Sequence, residues 1–68
     1  MPLSIETEQE VDGRWVAEIP ELPGVLAYGA TCQEAVDRAK ALSLRVLADR
    51  IEHGEPVPQV SSVFATLP

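Results

Sequence analysis

Three carboxylates, Glu6, Glu8 and Glu10, alternate along the start of the chain, and a lone Cys32 and a lone His53 stand further on. At every second position of a strand the three acids project from one face, the spacing a divalent-metal site could use. Such a site needs further ligands from a neighbouring element, and no His or Asp clearly converges there. A row of like charges is also the common guard of an exposed strand, and that reading is preferred. Nucleophilic chemistry would need Cys32 beside a base. His53 lies near the far end of the same predicted helix, roughly 30 Å away at 1.5 Å per residue, so the two cannot meet within one subunit. Cys32 reads as a small apolar residue at a helix start, and His53 as a cation near a helix end. We expect no catalytic residue, no metal ligand set and no cofactor, and hence no enzyme.

The elements that position these residues follow from periodicity and turn chemistry. From Leu3 to Gln9 apolar or neutral residues alternate with Ser4, Glu6 and Glu8, the period of a half-buried strand with an acidic face. Arg14 to Ile19 forms a second strand, with Trp15, Ala17 and Ile19 on one side and Arg14, Val16 and Glu18 on the other. A two-residue Asp12-Gly13 turn would oppose Glu10 to Trp15 and Glu6 to Ile19, mixing acids with apolar groups. A three-residue loop, Val11-Asp12-Gly13 with Gly13 left-handed, instead opposes Glu10 to Arg14, Gln9 to Trp15 and Ile5 to Ile19. The apolar residues then share a face, so this register is expected, with Trp15 in the core.

Pro20, Pro23 and Gly24 force a loop, because proline removes amide donors and glycine admits positive φ. Val25 to Tyr28 is a short third strand whose inward face the sequence leaves open. Thr31 and Glu34 have the spacing of a capping box, which starts a helix at Cys32. The helix runs to about His53, with Gly54 as its cap and Pro56 and Pro58 preventing continuation. Ala35, Val36, Ala39, Leu42, Val46 and Leu47 form the stripe expected to face the sheet. A second line, Ala41, Leu44, Ala48 and Ile51, lies roughly opposite. After a proline-rich connector, Ser62 to Leu67 alternates as a fourth strand.

The fold class is therefore α+β, a two-layer β-β-β-α-β unit. The first three strands form an antiparallel meander, and a right-handed crossover through the helix sets the fourth beside the first. The sheet order expected is 3-2-1-4, with one helix on one face. Residues 1–68 make one small domain, short enough that it buries only roughly 60% of its unfolded surface. With a single cysteine, self-association is the stabilising device left, and a homo-oligomer is expected. Eleven acidic against five basic residues give a net charge of −6. That opposes direct nucleic-acid binding and favours a basic partner. No basic and apolar leader or membrane-length apolar run appears, so a cytoplasmic chain with no membrane role is expected.

The order β-β-β-α-β is that of the first part of a ribonuclease H fold, yet the fourth strand offers no acid for a two-metal nuclease site. The run Asp12-Gly13-Arg14-Trp15-Val16-Ala17-Glu18-Ile19-Pro20-Glu21-Leu22-Pro23-Gly24, followed by Tyr28-Gly29-Ala30-Thr31-Cys32-Gln33-Glu34-Ala35 and by Gly54-Glu55-Pro56-Val57-Pro58, resembles the HicB antitoxin family and its stand-alone HicB-like relatives. The likeness extends from about Leu3 to Leu67, and the combination of motifs is more specific than any fragment. It implies a partial ribonuclease H-like fold without nuclease activity, which binds and neutralises a small basic RNA-cleaving toxin of the HicA type. It also implies self-association. The C-terminal DNA-binding domain usual in complete members is not expected in residues 1–68. Val25 stands where many relatives carry Cys, and Ala30 where many carry Asp.

Charge and resemblance together select candidate surfaces. Glu6, Glu8, Glu10 and Glu18 form an acidic sheet face suited to a basic toxin. Glu21, Leu22 and Pro23 form a rigid loop that would cover the toxin's active site at little ordering cost. Leu44, Ala48 and Ile51 are the candidates for self-association. The alternative function is a solitary, self-associating structural or regulatory domain with no toxin partner.

Overall fold

The computed structural model describes residues 3–61 and 64–67. Three strands come first, β1 (Glu6–Gln9), β2 (Trp15–Glu18) and β3 (Leu26–Gly29), followed by a long helix α1 (Cys32–Glu52) and a single-turn helix α2 (Pro58–Ser61). The strands form one antiparallel sheet in the order β1-β2-β3. The α+β class is thus in place, with a three-stranded sheet and α1 on one face. Of the fourth strand expected at residues 62–67, Ser62 and Val63 lie outside the described residues. Phe64 to Leu67 carry no strand. Pairing with β1 is non-local and must be stabilised by burial, and here that stretch is exposed.

The β1–β2 register is the one that keeps apolar residues together. Gln9 pairs with Trp15 and Glu6 with Glu18. The loop between them is closed by Glu10 N donating to Arg14 O at 2.7 Å and Gly13 N donating to Glu10 O at 3.0 Å. Gly13 takes φ +93°, the left-handed geometry that a three-residue hairpin loop requires. Ile5, Trp15, Ala17, Ile19 and Ala27 consequently face α1.

Between β2 and β3 the chain makes two consecutive turns, with Leu22 N donating to Ile19 O at 2.9 Å and Val25 N donating to Leu22 O at 3.0 Å. Pro20 and Pro23 each occupy the second turn position, where their fixed φ is already correct. Gly24 follows Pro23 with φ +86°, as a type II turn demands. These turns drive Leu22 inward, and it is fully buried beside Ile19.

Thr31 caps α1, its hydroxyl accepting from Glu34 N at 3.1 Å. The return arm of the expected capping box is displaced by one residue, with Ala30 N donating to Glu34 Oε1 at 3.4 Å. That carboxylate is also drawn toward Arg38, 2.9 Å away. At the other end Glu55 N donates to Arg50 O at 2.9 Å and Gly54 N to Ile51 O at 3.0 Å. With Gly54 at φ +75°, this is a Schellman ending, which satisfies otherwise orphaned carbonyls.

Ala35, Ala39, Ser43 and Leu47 are the buried residues of α1, with Val36, Leu42 and Val46 packed at their flanks. The row is built of small side chains, so the helix axis sits close to the sheet. Approach is tightest at Gly29, where a Cβ would stand 2.6 Å from the backbone nitrogen of Ala35. Ser43 joins the row without penalty because its hydroxyl donates to Lys40 O at 2.8 Å. The helix lies chiefly across β3 and β2 and only marginally over β1. Its 21 residues extend about 31 Å, well past strands of about 13 Å.

Candidate partner-binding surface

The sheet face turned away from α1 is uncovered. In-register pairing brings Glu6 opposite Glu18, Glu8 opposite Val16, Val16 opposite Tyr28 and Glu18 opposite Leu26. Glu6, Glu8 and Glu18 therefore share one face with Val16, Leu26 and Tyr28. Like charges directly opposite one another are destabilising, and among the described residues no basic side chain pairs with these three acids. The acids, Thr7 and Val16 line an open depression of about 140 Å³, room for about one side chain. Glu10, on the same alternation, is half-buried at the hairpin end.

One cation does reach this face. The Arg14 guanidinium carbon stands 4.9 Å from the centroid of the Tyr28 ring, close enough for a cation–π contact. Its Nε donates to Asp12 Oδ2 at 2.8 Å, and its backbone N donates to Asp12 Oδ1 at 3.1 Å. These bonds, the backbone one foremost, hold the Asp12 carboxyl below its ordinary pKa. Arg14 is thereby committed within the chain and does not neutralise Glu6, Glu8 or Glu18.

The loop contributes differently from expectation. Glu21 and Pro23 are exposed, but Leu22 is fully buried, so it anchors the loop to the core and is not available to a partner. The reason is the double turn, which rotates Leu22 inward between its two prolines. Glu21 Oε1 accepts from Ser4 N at 3.0 Å, tying the start of the described chain to the loop. That bond holds the Glu21 carboxyl below its ordinary pKa.

Leu44, Ala48 and Ile51 are all exposed on α1. Leu44 borders an apolar hollow of about 260 Å³ with Leu3, Ile5, Ile19, Lys40 and Ser43. Ile51 borders a separate one with Val57, Val60 and Phe64. Cys32 is half-buried at the helix start. His53 caps the other end, its Nδ1 2.7 Å from Asp49 O. Among the described residues no three His, Cys, Asp or Glu side chains gather as a metal site. Val16 lies with Glu18 as the alternation of β2 indicates, whereas Leu26 and Tyr28 were missed, because β3 has too few residues between its bounding glycines to reveal its inward face.

Comparison with known proteins finds no matching family model, no matching curated protein and no matching solved structure. What this face can do must be argued from its own chemistry. It offers carboxylates on the β1 side and, beside them, the apolar Val16, Leu26 and Tyr28 toward β3.

Proposed function

We propose that this chain is a HicB-like, antitoxin-type binding module, which holds and neutralises a small basic RNA-cleaving protein of the HicA type in the cytoplasm. The observation that carries this reading is the Glu6–Glu18 pair, two like charges in register on an uncovered face beside Glu8 and the apolar Val16, Leu26 and Tyr28. A basic partner relieves the repulsion and buries the adjoining apolar groups, so charge steers the encounter and burial holds the complex. Glu21 and Pro23 at the loop extend the contact surface at little entropic cost, since the two turns and Leu22 fix the loop beforehand. The fold in this reading is partial ribonuclease H-like with sheet order 3-2-1-4, its fourth position belonging to the segment Ser62 to Leu67. The order β1-β2-β3 followed by α1 supports it. No helix among the described residues is long and apolar enough to cross a membrane, which accords with this setting.

The experiment is co-purification with a small basic protein encoded beside this chain, followed by RNA cleavage with and without the chain. Binding with loss of cleavage supports the proposal. An adjacent protein that neither binds nor is inhibited removes it. The second reading, a solitary self-associating domain, is favoured by the exposed Leu44, Ile51, Phe64 and Leu67, and would then stand alone.

A further inference from the structure

The two edges of the sheet differ. In an antiparallel ladder, backbone groups of alternate residues point to the partner strand and those between point away. Because Glu10 N bonds Arg14 O, the even-numbered residues of β1 are turned toward β2. The backbone groups of Ile5, Thr7 and Gln9 therefore face outward. On β3 the backbones of Leu26 and Tyr28 face outward, and Arg38 Nη1 donates to the Tyr28 carbonyl at 3.0 Å. The β3 edge thus carries a cation at one of its two outward residues, a partial defence against strand addition. Among the described residues no side chain donates to or accepts from the outward groups of β1.

Beside that open edge lies the hollow of about 260 Å³ walled by Leu3, Ile5, Ile19 and Leu44, present because α1 barely covers β1. The chain also carries a segment suited to it. From Pro56 to Pro68 there is no charged residue, and Phe64 and Leu67 are 72% and 83% exposed. As a strand, this segment places Phe64 and Thr66 on one side and Ala65 and Leu67 on the other, so either side presents a large apolar group. It is not paired with its own β1, while Val57 and Val60 ahead of it pack against the core. Phe64 consequently sits at the Ile51 end of α1, where the helix overhangs the sheet in a molecule 52 Å long and 20 Å wide.

We infer that this chain forms a dimer by reciprocal exchange, in which Phe64–Leu67 of each copy adds as a strand to the open β1 edge of the other and covers the Leu3, Ile5 and Leu44 hollow. The fourth position of the sheet is then filled from a second copy. The exchange stands whether or not the acidic face holds a basic protein, since the edge and the acidic face are different surfaces.

The test measures mass by light scattering at micromolar concentration. The wild type is expected at twice 7.4 kDa. Thr7→Pro deletes an outward amide that β1–β2 pairing does not use, and Phe64→Ser with Leu67→Ser removes the apolar groups of the tail. Each is expected to be monomeric with unchanged far-ultraviolet dichroism. Mixing the two restores a dimer, because one supplies an intact tail and the other an intact edge. A monomeric wild type, a dimer that survives both sets of changes, or a mixture that stays monomeric each overturns the exchange. Should Thr7→Pro unfold the chain, the tail variant decides alone: a tail variant that remains dimeric overturns it.

Discussion

Gly29 and Ala35 meet backbone to backbone, the space for a glycine Cβ ending 2.6 Å from the Ala35 nitrogen. That approach lets the capped start of α1 lie directly on the end of β3. Because backbone cannot rotate away as a side chain can, Gly29→Ala must push the helix off the sheet. Overpacking of this kind costs about 1–3 kcal/mol, measurable as a lower urea midpoint. Gly13→Ala, at a site with open space but φ +93°, is expected to cost about 1–2 kcal/mol, through backbone strain alone.

Leu22 decides whether the Pro20–Gly24 loop is part of the core or an attachment to it. Its side chain is fully buried, so Leu22→Ala is expected to lose about 2–5 kcal/mol. For a domain this small that is most of its stability. Pro23→Ala, at an exposed turn position, should cost about 1 kcal/mol or less. Equal losses from the two changes in chemical denaturation would contradict the anchoring role of Leu22.

Acid should loosen the tie between Ser4 and Glu21. The folded-state pKa of Glu21 lies below its ordinary value of 4.5 because the carboxylate accepts from Ser4 N. The unfolded chain therefore binds the proton first, so the stabilisation is complete above that ordinary value and is lost as pH falls through the lower, folded one. Asp12 behaves in the same sense through its bonds from Arg14. Glu21→Gln should flatten the acid limb of a stability-against-pH curve and leave the slope near neutrality unchanged. An unaltered acid limb would contradict the tie.

Arg38 should matter more to association than to folding. Its pair with Glu34 is 2.9 Å but exposed, worth about 0–1 kcal/mol. Its bond to the Tyr28 carbonyl occupies one of the outward backbone groups of the β3 edge and sets a cation there. Arg38→Ala is expected to leave the melting temperature within a few degrees and to produce concentration-dependent species larger than a dimer in sedimentation velocity.

Local chemistry was readable in the sequence, and non-local placement was less so. The loop at Val11 to Gly13, the start of α1 after Thr31 and its end at Gly54 each rest on residues within a few positions of one another, and all three form as expected. The packed row of α1 was read only in part. Hydrophobicity gives weight to large residues, whereas close approach to a sheet selects small ones, so Ser43 was passed over. Leu22 was misplaced because its burial depends on the hand of two successive turns. The alternation from Ser62 to Leu67 was read as a fourth strand, yet Phe64 to Leu67 carry none, because alternation alone names no edge to pair with. Of the candidate surface, the acids were legible from their spacing. Their apolar companions on β3 required the register of a strand too short to show its own face.

Whether the uncovered acidic face holds a basic partner, as we propose, is decided by reversing the charge on that face. Affinity of the chain for the small basic protein with which it co-purifies should be measured for the wild type and for Glu6→Lys with Glu18→Lys, at low and high salt. Binding is expected to be at least about tenfold weaker for the doubly reversed variant, a loss of about 1.4 kcal/mol or more. Its salt dependence is expected to be smaller, with the dichroism of the fold intact. Unchanged affinity and salt dependence in a folded double variant would contradict the proposal.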